Sequence, residues 1–205
     1  MSALDFLSAV AVADADGFHP VARSAMDRRF REAGATFEER DGWLLPVSVP
    51  GEAEHLAAAG IGDLSHLGKL EVRGAGDLPA AAGVVSYRIS PRRSLVLCPG
   101  AQTAALHADL ASRFELVLDV TAGLTVLAIA GPARRTVLER MTHLHETPSS
   151  GEVAHVPVVH VLEVDGALWL VFAQEFAHYL FEVAVDRAAP LGGGPVGVDA
   201  LGGRS

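Results

Sequence analysis

The sequence predicts an α+β chain built of two related modules. Helical-period and period-two stretches alternate without the regular spacing of βαβ units. A strand that delivers a glycine turn occurs twice, at Leu70-Glu71-Val72-Arg73-Gly74 and at Leu127-Ala128-Ile129-Ala130-Gly131. The third observation is a hairpin signal, Asp165-Gly166, between two apolar runs.

Each element follows from local pattern. Met26, Phe30 and Ala33 lay one apolar stripe along a helix over residues 21–35, which Gly34 stops. A short apolar run, 42–47, is followed by a helix over 52–59 that ends at Gly60. Residues 67–74 alternate polar and apolar as a half-buried strand with Leu70 and Val72 on its inner face. Strands over 83–89 and 94–98, a turn at Pro91-Arg92-Arg93 and a helix over 100–114 form a ββα unit. Strands over 116–120 and 125–130 lead through Gly131-Pro132 into a helix over 133–141, with proline well placed at a helix start. Residues 147–152, rich in Pro, Ser and Gly, read as a loop. Strands over 156–164 and 167–172 flank the Asp165-Gly166 turn, and residues 180–185 read as a further strand. The Gly192-Gly193-Gly194-Pro195 stretch reads as a tail with little capacity to order. The expected division is an extension over 1–20, two modules over about 21–114 and 115–190, and a Gly-rich tail over 191–205.

Composition excludes several classes. A net charge of -9 gives nucleic acid no clustered positive surface, so no nucleic-acid partner is expected. Fifteen arginines accompany a single lysine, Lys69, a bias of composition more than a carboxylate-binding design. One cysteine, Cys98, cannot close an intramolecular disulfide, which fits a reducing compartment and a cytoplasmic location. The first twenty residues carry Asp5, Asp14 and Asp16 and no early Lys or Arg, unlike a secretory leader. Apolar runs such as 154–164 are broken by His155, Pro157, His160 and Glu163, too soon for a membrane span.

Asp63-Leu64-Ser65-His66-Leu67-Gly68-Lys69 packs a carboxylate, a hydroxyl and an imidazole into four residues. Adjacent Ser65 and His66 would project to opposite faces of a strand, so the segment reads as a structural turn before a hydrolytic site. His143 and His145, two apart, lack the spacing of a helical zinc pair. No Gly-rich phosphate loop is present, because Gly192-Gly193-Gly194 does not join a strand to a helix.

Taken together, Arg23-Ser24-Ala25, Gly42-Trp43-Leu44-Leu45-Pro46, Glu54-His55 and Gly60-Ile61-Gly62-Asp63-Leu64-Ser65-His66-Leu67-Gly68-Lys69 resemble the opening of the glycine cleavage T-protein family. Asp119-Val120-Thr121, the Leu127 to Arg134 run and Pro195-Val196-Gly197-Val198-Asp199-Ala200-Leu201 continue the likeness. The resemblance implies tandem ferredoxin-like modules of the aminomethyltransferase folate-binding type, without the family's C-terminal barrel. In length the chain is similar to the gamma subunit of heterotetrameric sarcosine oxidase. Tetrahydrofolate is the cofactor so implied, and a flavoprotein or a second copy of the chain is the partner. Its contacts would fall on Leu67, Tyr87, His66 and Glu175, the last within Gln174-Glu175-Phe176 ahead of Leu180-Phe181-Glu182-Val183. The family's catalytic Asp segment has Ala82-Gly83-Val84-Val85-Ser86-Tyr87-Arg88 in its place here, and an Asn-rich turn has become Leu97-Cys98-Pro99-Gly100. The expectation is a pocket with no negative group where protons would be handled, hence a folate-binding relative without transferase activity. A gamma-type structural subunit is the alternative.

Overall fold

The computed structural model describes residues 20–202. The chain is α+β, with three sheets and five α-helices among those residues. The opening segment, β1 (Ala22–Arg23), α1 (Asp27–Glu32), β2 (Thr36–Arg40) and β3 (Trp43–Ser48), makes a three-stranded sheet ordered β1-β3-β2. Helix α2 (Glu52–Ala58) then leads to β4 (Gly60–Asp63) and β5 (Gly68–Arg73).

Strands β5, β6 (Val85–Ser90), β7 (Arg93–Cys98) and β8 (Leu116–Asp119) form an antiparallel sheet ordered β6-β7-β5-β8, backed by α3 (Thr103–Ala111). The largest sheet contains β4, β9 (Leu124–Ala130), β10 (Ser149–Val153), β11 (Val156–Val164), β12 (Ala167–Ala173) and β13 (Gly194–Pro195). Its order is β10-β11-β12-β9-β4-β13, and α4 (Arg134–Glu139) and α5 (Ala177–Ala188) cover one face. The two halves of the chain exchange strands: β4 enters the six-stranded sheet and β8 enters the four-stranded one.

Alternation along β12 builds the layers. Leu168, Leu170 and Phe172 face the core under α4 and α5 with Ile61, Leu127, Ile129, Leu180 and Phe181. Trp169 and Val171 face a middle core with Leu64, Leu67, Leu95 and Leu97, between the six-stranded and four-stranded sheets. A strand buried on both faces reads as one continuous apolar run, which is what Ala167 to Phe172 shows. The third core, Leu70, Val72, Val96, Leu110 and Phe114, lies between the four-stranded sheet and α3.

Four sequence expectations change here. Residues 21–26 are not helical, and α1 begins at Asp27. Residues 147–152 were expected as loop, but Ser149–Val153 pairs with β11 across a bulge, because an edge strand tolerates polar and small residues. Residues 180–185 lie inside α5, not in a strand. Ala177, Leu180, Phe181, Ala184 and Ala188 are its buried positions, a helical period that a six-residue window hides. The glycine-rich stretch is ordered: Gly194–Pro195 runs parallel to β4, and Val196, Val198 and Leu201 enter the middle core. Gly197 explains part of that order, since a Cβ there would lie 2.1 Å from the Val47 carbonyl oxygen. Residues 1–19 of the expected extension lie outside the described residues.

β9 leaves its sheet through Gly131, which adopts φ +95° and packs against the end of α2. Ala133 donates its N–H to the Ala58 carbonyl at 2.9 Å, which ties α4 to that junction. A Cβ on residue 131 would sit 2.5 Å from the Leu56 carbonyl oxygen and 2.7 Å from that of Ala58. Gly131→Ala is therefore expected to destabilise the fold by about 3 kcal/mol, from left-handed strain plus the clash. Chemical denaturation followed by circular dichroism measures it; an unchanged midpoint would show that the junction yields freely.

Candidate functional site

The Asp63 to Lys69 segment is the crossing between two sheets, and residues 61–70 are all buried. The strand at β5 is thus buried on both faces, not half-buried as its alternation suggested; even Lys69 has no exposed surface. Asp63 accepts the Ser65 N–H at 2.9 Å on Oδ1, an Asx turn that starts the reversal. Leu64 N–H donates to the Val126 carbonyl at 2.9 Å, and Leu67 N–H closes the turn on the Leu64 carbonyl at 3.1 Å. Lys69 reaches back beneath it and donates from Nζ to the carbonyls of Ser65 at 2.7 Å and Leu67 at 2.8 Å.

Burial governs the titration of these groups. It pushes the Asp63 carboxyl upward, against the Ser24 and Ser65 hydroxyls and the Lys69 charge. It also depresses the Lys69 ammonium to about 8, although Asp63 and Asp119 favour the charged form. His66 falls to about 4, first from burial and then from the Lys69 charge, so its ring is neutral near pH 7. Asp63 and Lys69 hold the turn through these hydrogen bonds, His66 is buried beside them, and Ser65 accepts the Val126 N–H at 3.4 Å.

Beyond this turn lies a cleft of about 250 Å³ lined by Leu67, Gly83, Val84, Val85, Pro99, Val164, Asp165 and Trp169. A second hollow of about 310 Å³ lies beyond the Asp165-Gly166 turn, walled by Leu56, Leu64, Ala130 and Leu201, and it shares Asp165 and Trp169 with the first. The segment without an acid is indeed on the cleft wall, through Gly83, Val84 and Val85. Ser86 faces away from it, donating to the Pro79 carbonyl at 2.9 Å. Pro99 supplies wall from the changed Leu97 to Gly100 turn, while Cys98 is fully buried.

The cleft nevertheless has a carboxylate. Asp165, expected only as a hairpin turn residue, stands on its rim, on an exposed turn and not on the Gly83-Val84-Val85 wall where the acid is missing. Register is the reason: β11 pairs with β12 from Val164↔Ala167, so the turn projects beyond the six-stranded sheet to face β6.

The four expected contacts do not converge. Leu67 lines the cleft, and His66 is buried in the turn beside it. Tyr87 is half-buried and its hydroxyl lies 2.7 Å from Ser150 Oγ, which in turn lies 2.6 Å from His160 Nδ1. The Tyr87 and His160 rings are 5.4 Å apart. This polar bridge from β6 to β10 and β11 was missed by sequence reasoning, because only the Ser150↔His160 register brings its members together. Glu175 is exposed in a short 3-10 turn after β12. β12 runs on for four residues past Trp169, about 13 Å at the usual rise, before this turn, so the chain direction carries Glu175 away from the cleft. Among the described residues no three His, Cys, Asp or Glu side chains are grouped as metal ligands.

The depressed His66 predicts an acid limb in stability. An unfolded chain protonates the ring from about pH 6.5 and the folded chain only near pH 4, so the contribution is complete above 6.5 and is lost as pH falls to 4. The loss is on the order of 3 kcal/mol. His66→Gln is expected to flatten stability over that window in urea titrations at stepped pH, and an unaltered slope would assign the acid limb to other groups.

No family model matches the chain. Aminomethyltransferase of Mycobacterium leprae (strain Br4923) is 50% identical over 58 residues, which are 26% of this chain and 16% of that protein. The aminomethyltransferase of Mycobacterium tuberculosis (strain ATCC 25618 / H37Rv) is 53% identical over 55 residues, 25% of this chain and 15% of that one. The matches thus take in under a fifth of these curated relatives' length. Among solved structures, glycine cleavage system aminomethyltransferase T from Bartonella henselae superposes with a TM-score of 0.68 at 20% identity, over 88% of this chain and 60% of that one. A chain of heterotetrameric sarcosine oxidase from Corynebacterium sp. U-96 superposes with a TM-score of 0.60 at 16% identity, over 85% of this chain and 98% of that one. The chain is thus similar in sequence to aminomethyltransferases over about a quarter of its length, and it shares the fold of glycine cleavage system aminomethyltransferase T and of a sarcosine oxidase chain.

Proposed function

We propose that the chain binds a reduced folate by its pterin ring in the Leu67–Trp169 cleft, as a T-protein-like protein of cytoplasmic one-carbon metabolism, and does not itself transfer an aminomethyl group. The observation that carries this reading is one slot with aliphatic and aromatic walls and a single carboxylate, Asp165, among its lining residues. Its volume of about 250 Å³ suits a bicyclic ring and not a whole folate, whose tail would extend outward. A carboxylate accepts paired N–H donors well, and the pterin edge offers such a pair.

The same geometry disfavours transfer. Proton handling at a reacting carbon is most effective from a group held in a water-excluded site. Here the wall that would carry that acid is Gly83-Val84-Val85, and the acid that is present lies on an exposed turn.

A second reading, a gamma-type structural subunit in a sarcosine oxidase-like flavoprotein complex, draws on the likeness to nearly the whole of one chain of such an assembly. Co-expression with candidate flavoprotein subunits tests it, read as flavin absorbance eluting with this chain. Absence of flavin from the eluate counts against it. No helix among the described residues is long and apolar enough to cross a membrane.

Titration with tetrahydrofolate, followed by Trp169 fluorescence in a Trp43→Phe background, is expected to show saturable quenching. Asp165→Asn should weaken it by about tenfold, the loss of a charge-assisted pair. No quenching at millimolar ligand would rule out the folate reading, whereas turnover with an aminomethyl donor would rule out its inactive part.

A further inference from the structure

We infer that β8 is a self-pairing edge through which two copies of the chain join their four-stranded sheets into one. β8 is terminal in the order β6-β7-β5-β8 and has no strand on its outer side among the described residues. Edge strands of soluble proteins are usually blunted by lysine, proline or an inward-facing charge. Leu116-Val117-Leu118-Asp119 has no lysine or proline, and its one charge, Asp119, shares the Leu70 face and not that of Leu116 and Leu118. Leu116 and Leu118 remain 42% and 40% exposed. Both project to one face of the sheet, because they occupy alternate positions.

The ladder decides which backbone groups are open. Val120 donates its N–H to the Lys69 carbonyl at 2.9 Å, and β8 pairs with β5 as Glu71↔Leu118 and Val72↔Val117. In an antiparallel ladder the hydrogen-bonding groups alternate sides, so Leu118 turns its N–H and C=O toward β5 while Val117 and Asp119 turn theirs outward.

A twofold axis perpendicular to the sheet keeps like faces together only if it passes through a residue. Through Leu118 it sets Val117 opposite Asp119 of the other copy. The outward N–H and C=O groups of these residues then complete four hydrogen bonds, and the two Leu118 side chains meet on the axis. Leu116 falls opposite Val120 and Glu115 opposite Thr121, so no like charges are opposed. An axis through Val117 would instead set Glu115 against Asp119, an unfavourable pair. The Asp119 carboxylate is already engaged by the Thr121 N–H at 2.9 Å. The occupant that this edge fits is therefore a second copy, in an isologous contact. Four residues per strand make it a weak, concentration-dependent dimer.

Sedimentation of the full chain from micromolar to near-millimolar concentration tests the inference. A monomer–dimer equilibrium is expected. Leu118→Lys, which sets two ammonium groups on the axis, should weaken association at least about tenfold, while the exposed Val158→Lys should not. Leu118→Cys should cross-link under mild oxidation, since axis residues in a non-hydrogen-bonded pair sit about 4.5 Å apart, within disulfide range. Leu116→Cys should not, and buried Cys98 gives a silent background. A strictly monomeric chain at every concentration, or a dimer untouched by Leu118→Lys, overturns the proposal. An unaltered thermal midpoint in Leu118→Lys shows that the change acts at the surface and not on folding.

Discussion

The buried ammonium of Lys69 sets the geometry from which the rest follows. A charge without water must be solvated by the protein, and here the Ser65 and Leu67 carbonyls do it at 2.7 and 2.8 Å. Those carbonyls belong to the turn that passes from β4 in one sheet to β5 in the other. Lys69 therefore ties the crossing strand to its own turn, and the separation of the two sheets is fixed at that point. Removal of such a group leaves buried carbonyls unpaired and Asp63 uncompensated, the costly direction for a buried charge.

The cleft is a by-product of this crossing. Once β4 and β5 are held in different sheets, Leu67 at the end of the turn marks where the sheets diverge. The wedge between them is closed below by the middle core and bordered above by Gly83-Val84-Val85 and the Asp165-Gly166 turn. The Tyr87–Ser150–His160 bridge spans the same two sheets farther along. Burial lowers the His160 pKa, which keeps the ring neutral and able to accept the Ser150 hydroxyl. A slot between two such braces is preorganised, which lowers the ordering cost of binding a flat ligand.

Charge is distributed by the same logic. Arg73 and Arg93 lie directly opposite each other on β5 and β7, and Glu71 bonds to both, at 2.9 and 2.7 Å. Burial alone would raise the Glu71 carboxyl, but the two guanidinium groups outweigh it and hold it low. Ion pairs along helix α1, as Arg28 with Glu32 and Arg31 with Asp27, lie on its surface, where solvent leaves each worth little. The partly buried Arg–Glu–Arg cluster links β5 and β7 across their ladder, so it fixes strand register as well as charge.

Local pattern was enough to read the hairpin at Asp165-Gly166, the helix over 52–59 and the strands of the ββα unit, since each depends on periodicity and turn chemistry within a dozen residues. The crowded Asp63 to Lys69 turn was legible for the same reason, and so was the absence of an acid in the Ala82 to Arg88 segment. The helix over 177–188 was not, because a short apolar window fits either period until a sheet is present to bury Leu180, Phe181 and Ala184 together. Nor was the order in the tail, where Gly197 is required by the Val47 backbone about 150 positions earlier in the chain. The candidate site divides along the same line. Leu67 and the Gly83 to Val85 wall were visible in sequence, whereas the carboxylate at Asp165 and the placement of Glu175 far from it depend on strand register and chain direction. The sequence by itself determined those elements that rest on local periodicity and turn chemistry, and the chemistry available in each; only the tertiary structure decided the ambiguous helix, the edge strand, the ordered tail and which groups meet, because contacts across two sheets are set by pairing and burial that no local window contains.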